Sequence, residues 1–317
     1  MNWRKQGLIF TTDRRLAHSR SHAQLPLLDI ETATGNWRIY FATRDEQNRS
    51  TISFIEVEPG EPKKIKYVHD RPLIQLGALG TFDEFGTMPL SLVSINEDTK
   101  YLYYAGWSRK FSIPYHNAIG LAVSHDGGNT FEKAFPGPLL DARRDEPHFT
   151  GTCCVRKEES HWKMWYQSCT KWEILDGHPE PYYHLKYAES SDGIIWERHG
   201  HVAIDYASDT EGGICAATVI KDSDYRMWYC YRKARNYRED PTSSYRIGYA
   251  ESIDGKNWQR MDKINTLTIG PDQWDDHMVC YPNVNIIGDD LFMFYNGNGF
   301  GATGFGYAIS NYEELDD

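Results

Sequence analysis

YRMWYCYRK at residues 225–233, followed by YRIGYAESIDG at 245–255, decides the fold. The first run alternates in the period of two that marks a half-buried strand. The second ends on an Asp-Gly corner, a strong hairpin-turn signal. The pair recurs along the chain. NWRIYFATR (36–44), KYLYYAGWSR (100–109), HWKMWYQSC (161–169) and LFMFYNGNG (291–299) repeat the aromatic run. STISFIEVE (50–58), NAIGLAVSHDGG (117–128), HLKYAESSDG (184–193) and TGFGYAIS (303–310) repeat its successor. Each pair is preceded by another apolar strand: LPLLDI, MPLSLVSI, GTCCVRK, CAATVIK and YPNVNII.

Taking Pro26, Pro89, Gly151, Cys215 and Pro282 as one position, the repeat steps are 63, 62, 64 and 67 residues. The second-strand aromatic then falls at Tyr40, Tyr103, Trp165, Tyr229 and Tyr295. A period above the ~40–50 residues of common propeller repeats leaves room for four strands and long loops. The aromatics after SHDGG (124–128), SSDG (190–193) and SIDG (252–255) start a fourth, outer strand. The expected fold is all-β: a single five-bladed β-propeller domain over 1–317, with four antiparallel strands per blade. The blades are expected at about 18–70, 80–140, 143–200, 207–262 and 272–310. The spare strand QGLIFTT (6–12) is expected on the outer edge of blade five, covering an edge that would otherwise stay open. The stretches 171–183 and 233–244 read as long polar loops.

Composition narrows function. The 317 residues carry 34 basic and 45 acidic side chains, a formal net charge of −11, which argues against a nucleic-acid partner. No run of 18 apolar residues exists, so no transmembrane helix is expected. The N-terminal stretch lacks the apolar core of a secretory signal, and the six cysteines form no CxxC pair, so a reducing cytoplasm is expected. The sequence leaves the oligomeric state open.

Residues just before each first strand should converge on the central channel. Six upstream of the register position stand Arg20, Asp83, Asp145, Asp209 and Asp276, a repeated pattern that favours loop scaffolding over catalysis. The neighbouring positions break the repeat with Glu84, Glu146, Glu211, His22, His148 and His277. Crowded carboxylates push their pKa values apart, as an acid and a base at one glycosidic bond require. Glu146, Glu211, His22, Asp83, Asp145 and Glu84 are therefore the candidate catalytic residues. Arg44, Trp107, Arg109, Arg232, Asn296 and His277 are candidate substrate contacts, since rings stack on sugar CH faces and Arg or Asn supplies donors. His148 and His277 are candidate ligands for a divalent metal in the channel, although no spacing matches a known ligand motif and no other cofactor signature is present.

The five repeats, RRDEP (143–147) and the YNG of 295–297 resemble the five-bladed propeller superfamily of glycoside hydrolase families 32, 43 and 68 over about residues 7–310. RRDEP resembles the Arg-Asp-Pro element of family 32 with a Glu inserted, and SHDGGNTF resembles the Asp-box turn of sialidases in the turn alone. The resemblance implies that Asp83 or Asp145 serves as auxiliary carboxylate and Glu146 or Glu211 as general acid. It also shows a departure: where the family carries its blade-one Asp, this chain reads His22-Ala23-Gln24. The second carboxylate would then come from another blade, or His22 is the base, or the reaction is not hydrolysis. The expected function is a glycosidase-like hydrolase or a glycosyl transferase. Its substrate would be an oligosaccharide or an activated sugar such as a nucleotide sugar, with polysaccharide assembly as one setting. The alternatives are a non-catalytic sugar-binding propeller and a metal-dependent lyase or isomerase on the His/Glu ring.

Overall fold

The computed structural model describes residues 2–12, 14, 16–159, 161–264 and 266–312. The described chain is nearly all β. It opens with β1 (Arg4–Phe10), and four antiparallel meanders of four strands follow. Group one is β2 (Ser21–Asp29), β3 (Trp37–Arg44), β4 (Ser50–Glu58) and β5 (Glu61–Val68). Group two is β6 (Gly86–Ser94), β7 (Lys100–Ser108), β8 (His116–Ser124) and β9 (Glu132–Lys133). Group three is β10 (Thr150–Glu158), β11 (His161–Leu175), β12 (His178–Ser190) and β13 (Val202–Ile204). Group four is β14 (Glu211–Lys221), β15 (Tyr225–Lys233), β16 (Arg246–Ser252) and β17 (Gln259–Arg260). The fifth group has β18 (Cys280–Ile287), β19 (Asp290–Asn296), a single helical turn α1 (Asn298–Gly301) and β20 (Phe305–Asn311), and β1 pairs antiparallel with β20 as its outer strand. The stretch 171–183 is mostly the extension of the β11–β12 hairpin rather than a loop.

First strands neighbour one another in sequence order, and β18 neighbours β2. Each junction between groups is one apolar cluster. Leu27, Tyr40 and Phe54 meet Leu102 and Tyr104; Tyr103 and Leu121 meet Met164 and Tyr166; Trp165 and Leu185 meet Met227 and Tyr229; Trp228 and Tyr249 meet Met293 and Tyr295; Phe294 and Phe305 meet Ile39 and Phe41.

The Asp-Gly corners join neighbouring groups. Asp192 Oδ1 accepts the backbone N–H groups of Ile194 and Ile195, both at 2.8 Å, and Asp254 does the same for Lys256 and Asn257. This folds each corner so that a glycine carbonyl faces the preceding group. Tyr40 Oη donates to Gly128 O at 2.9 Å, Tyr103 Oη to Gly193 O at 2.7 Å, and Trp165 Nε1 to Gly255 O at 2.8 Å. Tyr103→Phe removes one such bond and little else. It is expected to cost about 1 kcal/mol, read as a fall of ~1–2 °C in melting temperature.

The register departs from simple counting. The rungs pair Leu27 with Tyr40, Ser91 with Tyr103 and Cys154 with Trp165, but Thr218 with Trp228 and Asn283 with Phe294. Every first strand carries a β-bulge within two residues before this rung, and a bulge adds unpaired residues that counting cannot see. Tyr229 and Tyr295 therefore sit one residue past the rung expected for them.

The carboxylates upstream of the first strands are taken up inside the groups. Asp83 is buried inside group two, accepting from Tyr104 Oη at 3.0 Å and paired with Lys133 of β9 at 2.5 Å. Glu146 is buried inside group three, accepting from Tyr166 Oη and Ser168 Oγ, each at 3.0 Å, with Arg143 at 3.2 Å. In group four Asp262 accepts from Tyr229 and pairs with Arg260, which also grips Glu211 through two bonds of 2.8 and 3.0 Å. In group five Asp275 accepts from Tyr295 at 2.9 Å and pairs with Lys5 of β1 at 2.5 Å. A tyrosine of the second strand, a carboxylate and a cation recur in four groups, with the cation on the outer strand in three of them. Buried charge is tolerated when paired and hydrogen-bonded in this way.

Candidate functional site

The start of every first strand, the ends of the second strands and the loops beyond them enclose a cavity of about 370 Å³. Group one contributes Gln24, Leu25, Arg44 and Asn48; group two Met88, Trp107, Arg109 and Tyr115; group three Thr152, Gln167 and Tyr183; group four Cys215, Tyr237, Arg238 and Tyr245; group five Tyr281 and Phe300. Below it the space narrows to about 20 Å³ between Pro26, Pro89, Cys153, Ala216 and Pro282.

The bulges shape the cavity floor. Leu25, Ala216 and Tyr281 adopt φ values of 55°, 51° and 56°, left-handed conformations that are uncommon outside glycine. Each is held by a side chain of the preceding group. Asn296 Oδ1 accepts Leu25 N–H at 2.7 Å, Thr152 Oγ1 accepts Ala216 N–H at 2.7 Å, and Cys230 Sγ accepts Tyr281 N–H at 2.9 Å. Such strain persists where surrounding contacts over-determine it and is typical of ligand sites.

The cavity is cationic and aromatic. Arg44 is fixed by Gln24 Oε1 at 3.1 Å and Asn48 Oδ1 at 3.0 Å. Arg109 lies 3.8 Å over the Phe85 ring. Arg232 is buried behind the wall, donating to Tyr183 Oη at 3.1 Å and to the carbonyls of Pro181 and Lys233 at 2.7 and 2.9 Å. Gly213 makes room for it, since a Cβ there would lie 2.6 Å from the Tyr183 ring and 2.9 Å from Arg232 Nε. Among the described residues, no acidic side chain forms an ion pair with Arg44, Arg109 or Arg232. Arg238 pairs with Glu180, and Tyr183 and Tyr245 share a hydrogen bond. Among the described residues, no Asp or Glu lines the cavity.

Of the residues expected from sequence, Arg44, Trp107 and Arg109 line the cavity and Arg232 lies directly behind it. The others do not. Asp83, Glu146 and Glu211 are turned into their own groups by the pairings above. Asp145 is exposed on Arg143, and Glu84 accepts the N–H of Gly80 at 2.6 Å. Asn296 is buried as the clamp on Leu25, and its amide also donates to Ala23 O and Gly304 O. Asp209, expected as a buried loop cap, is exposed. His277 is exposed beside Asp276, and His148 is half-buried off the cavity. Among the described residues, no three His, Cys, Asp or Glu side chains converge as a metal site. Counting missed Tyr115, Tyr237, Arg238, Tyr245 and Tyr281. The first four belong to loops after second strands or to strand starts beyond them, and Tyr281 is turned inward by its bulge.

His22 is half-buried, held by Ser21 Oγ at 2.8 Å, and does not line the cavity. Burial, helped by the Arg44 guanidinium, lowers its pKa from 6.5 to about 4. The folded ring stays neutral where the unfolded chain takes up a proton, so its contribution to stability is complete above pH 6.5 and is lost as pH falls from 6.5 to about 4. His22→Asn, which tolerates the local φ of 62°, is expected to flatten the decline in denaturant midpoint across that window relative to the unaltered chain.

The fold is shared with glycoside hydrolase-like propeller proteins. A glycosyl hydrolase from Bacteroides ovatus superposes with a TM-score of 0.74 at 11% identity, covering 98% of this chain and 94% of that one. A structure from work on the GH130 family of mannoside phosphorylases, which contains glycoside hydrolases that target beta-1,2 mannosidic linkages in Candida mannan, gives 0.72 at 13% identity over 98% and 94%. A thermostable family-43 glycoside hydrolase gives 0.64 at 19% identity over 95% and 91%. No protein-family model matches the chain. In sequence, the Mycobacterium tuberculosis proteins named Uncharacterized protein MT1551 and Uncharacterized protein Rv1502 are each 38% identical over 313 residues, covering 98% of this chain and 99% of theirs. An identity of that level along the whole length places this chain in one family with these two mycobacterial proteins.

Proposed function

We propose that the five groups are the blades of a five-bladed propeller forming one domain, and that its cavity binds an activated sugar with an anionic leaving group, a glycosyl phosphate or a nucleotide sugar, for glycosyl transfer. The observation that carries this reading is a cavity in which Arg44 and Arg109 have no acidic partner and no carboxylate lies in the lining, among the described residues. Two-carboxylate hydrolysis needs an acid that protonates the departing alcohol oxygen. A phosphate leaves as a stable anion and needs charge stabilisation instead, which a guanidinium supplies in bidentate form. Trp107, Tyr115 and Tyr245 offer flat faces to sugar CH groups. The glycoside hydrolases and phosphorylases that share the fold support a sugar as the ligand. The absence of cavity carboxylates also favours a second reading, a non-catalytic sugar-binding protein.

Calorimetric titration with glucose 1-phosphate, UDP-glucose and glucose tests the first reading. The phosphorylated ligands are expected to bind and to weaken as salt rises. Arg44→Ala and Arg109→Ala should each weaken that binding by ~10–100-fold, the size of one lost charge-assisted hydrogen bond. Equal binding of glucose, or indifference to both substitutions, would overturn it. Release of phosphate or nucleotide over time separates transfer from binding alone.

A further inference from the structure

Tyr237 is the one cavity-lining phenol whose hydroxyl meets a carboxylate among the described residues. Its Oη donates to Glu180 Oε2 at 3.0 Å. Glu180 is 9% exposed and lies behind the phenol rather than on the cavity wall. The second oxygen of Glu180 is taken by Arg238. The Tyr237 ring carries two guanidinium groups, Arg232 at 3.8 Å and Arg238 at 4.2 Å from its centroid. We propose, on the reading that the cavity takes an activated sugar, that Tyr237 is its nucleophile and Glu180 the base that receives the phenol proton, so that transfer proceeds through a tyrosyl glycoside.

Each contact has a chemical consequence. A nucleophile within hydrogen-bond reach of a base, with the base oriented by a third group, is the arrangement that activates a weak nucleophile. Arg238 is that third group. Two cations over the ring stabilise negative charge developing on the phenol oxygen. Arg232 forms no ion pair among the described residues, while the Glu180 carboxylate at the phenol hydroxyl is paired with Arg238. Burial holds the phenol above its ordinary pKa while the arginines act the other way. The hydroxyl is therefore neutral at rest and gives up its proton only as the new bond forms. A carboxylate nucleophile in the same place would repel an anionic leaving group, and a neutral phenol does not. The other hydrogen-bonded phenols, Tyr183 and Tyr245, contact each other and have no carboxylate to receive a proton.

In the first step Tyr237 Oη bonds to the anomeric carbon as the bond from that carbon to the phosphate oxygen breaks. The phosphate departs with the electron pair, and the phenol proton passes to Glu180. In the second step water or a sugar hydroxyl attacks the anomeric carbon. The phenol oxygen leaves with its electron pair and recovers the proton from Glu180, and the proton of the attacking hydroxyl goes to solvent.

The test is intact-mass spectrometry and peptide mapping of the full chain after incubation with the 2-deoxy-2-fluoro analogues of UDP-glucose, UDP-galactose and GDP-mannose. Binding of each is measured in parallel by calorimetry. The expected result is one fluorosugar added to Tyr237. Tyr237→Phe, which keeps the ring between the guanidiniums, should bind the nucleotide sugar and form no adduct. Glu180→Gln should bind it and form the adduct at least ~100-fold more slowly, the lower range for losing an acid–base group. Binding and turnover with no adduct, an adduct on another residue, or normal labelling of Tyr237→Phe would overturn the proposal and leave the anionic-sugar reading standing. Failure of all three nucleotide sugars and of glucose 1-phosphate to bind would overturn that reading, and the tyrosyl glycoside with it.

Discussion

A protein lacking residues 1–12 is expected to aggregate on expression, or to melt more than about 10 °C below the full chain where soluble protein is recovered. β1 supplies the last ladder of group five, from Arg4 opposite Ile309 to Phe10 opposite Phe305. Without it β20 presents an unpaired edge, the feature through which sheets aggregate. Trp3 packs edge-on against Trp228 with centroids 6.1 Å apart, and Ile9 joins the cluster between groups five and one. Burial of each such side chain is worth about 1.5–3 kcal/mol. Lys5 is the cation for Asp275, which is 1% exposed and would keep only Tyr295. Stranding a buried charge costs about 3–5 kcal/mol. Together these losses approach the ~5–15 kcal/mol that separates a folded domain from its unfolded chain. Soluble yield and a thermal scan check the result, and a truncated protein with an unchanged melting temperature would show that β1 does not hold the molecule together.

The role of β1 was legible because QGLIFTT alternates like a strand and stands outside the repeat, and β20 needed an outer partner. The Asp-Gly corners were equally legible, since their geometry is set within a few residues. Tyr40, Tyr103 and Trp165 could be placed on one rung because the bulges before them add to the count in ways that cancel. At Trp228 and Phe294 they do not, and counting slips by one residue. A slip of one residue reverses the face to which a strand side chain points. The candidate site depended on that parity. Arg44, Trp107 and Arg109 sit on second strands or just beyond them, before any bulge intervenes, and they reach the cavity. Asp83 and Glu146 lie in the connections before β6 and β10, where strand alternation does not apply, and Glu211 opens β14; all three turn inward. Tyr237 and Arg238 carried no repeat signal, because loop 233–244 has no counterpart of equal length in the other groups. The signal available was the Tyr-Arg dipeptide of residues 237–238 in a loop beyond a second strand.

Glu146→Gln gives the sharpest separation between the carboxylate read from sequence and the one seen in the fold. As a general acid, Glu146 would be replaced with little loss of stability and a large loss of turnover. Its surroundings predict the opposite. It is 3% exposed and accepts from Tyr166 and Ser168, with Arg143, Lys186 and Arg198 at 3.2, 3.8 and 3.9 Å. Gln removes the negative charge that these three cations share and places an amide donor where two hydroxyl donors already point. Breaking such a buried arrangement costs about 3 kcal/mol or more, because the cations stay behind without their counter-charge. For a chain of this length that is a fall of at least ~4 °C in melting temperature. No atom of Glu146 lines the cavity, so the folded fraction should bind a glycosyl phosphate as the unaltered protein does. Glu146→Asp, which keeps the charge on a shorter side chain, should recover part of the lost stability. A Glu146→Gln protein that melts normally and loses turnover would place the carboxylate at the reacting sugar and require the cavity to extend into group three. A protein that melts early and binds normally assigns Glu146 to the same structural pairing as Asp83 and Asp275. The chemistry is then left to the arginines and tyrosines that face the cavity.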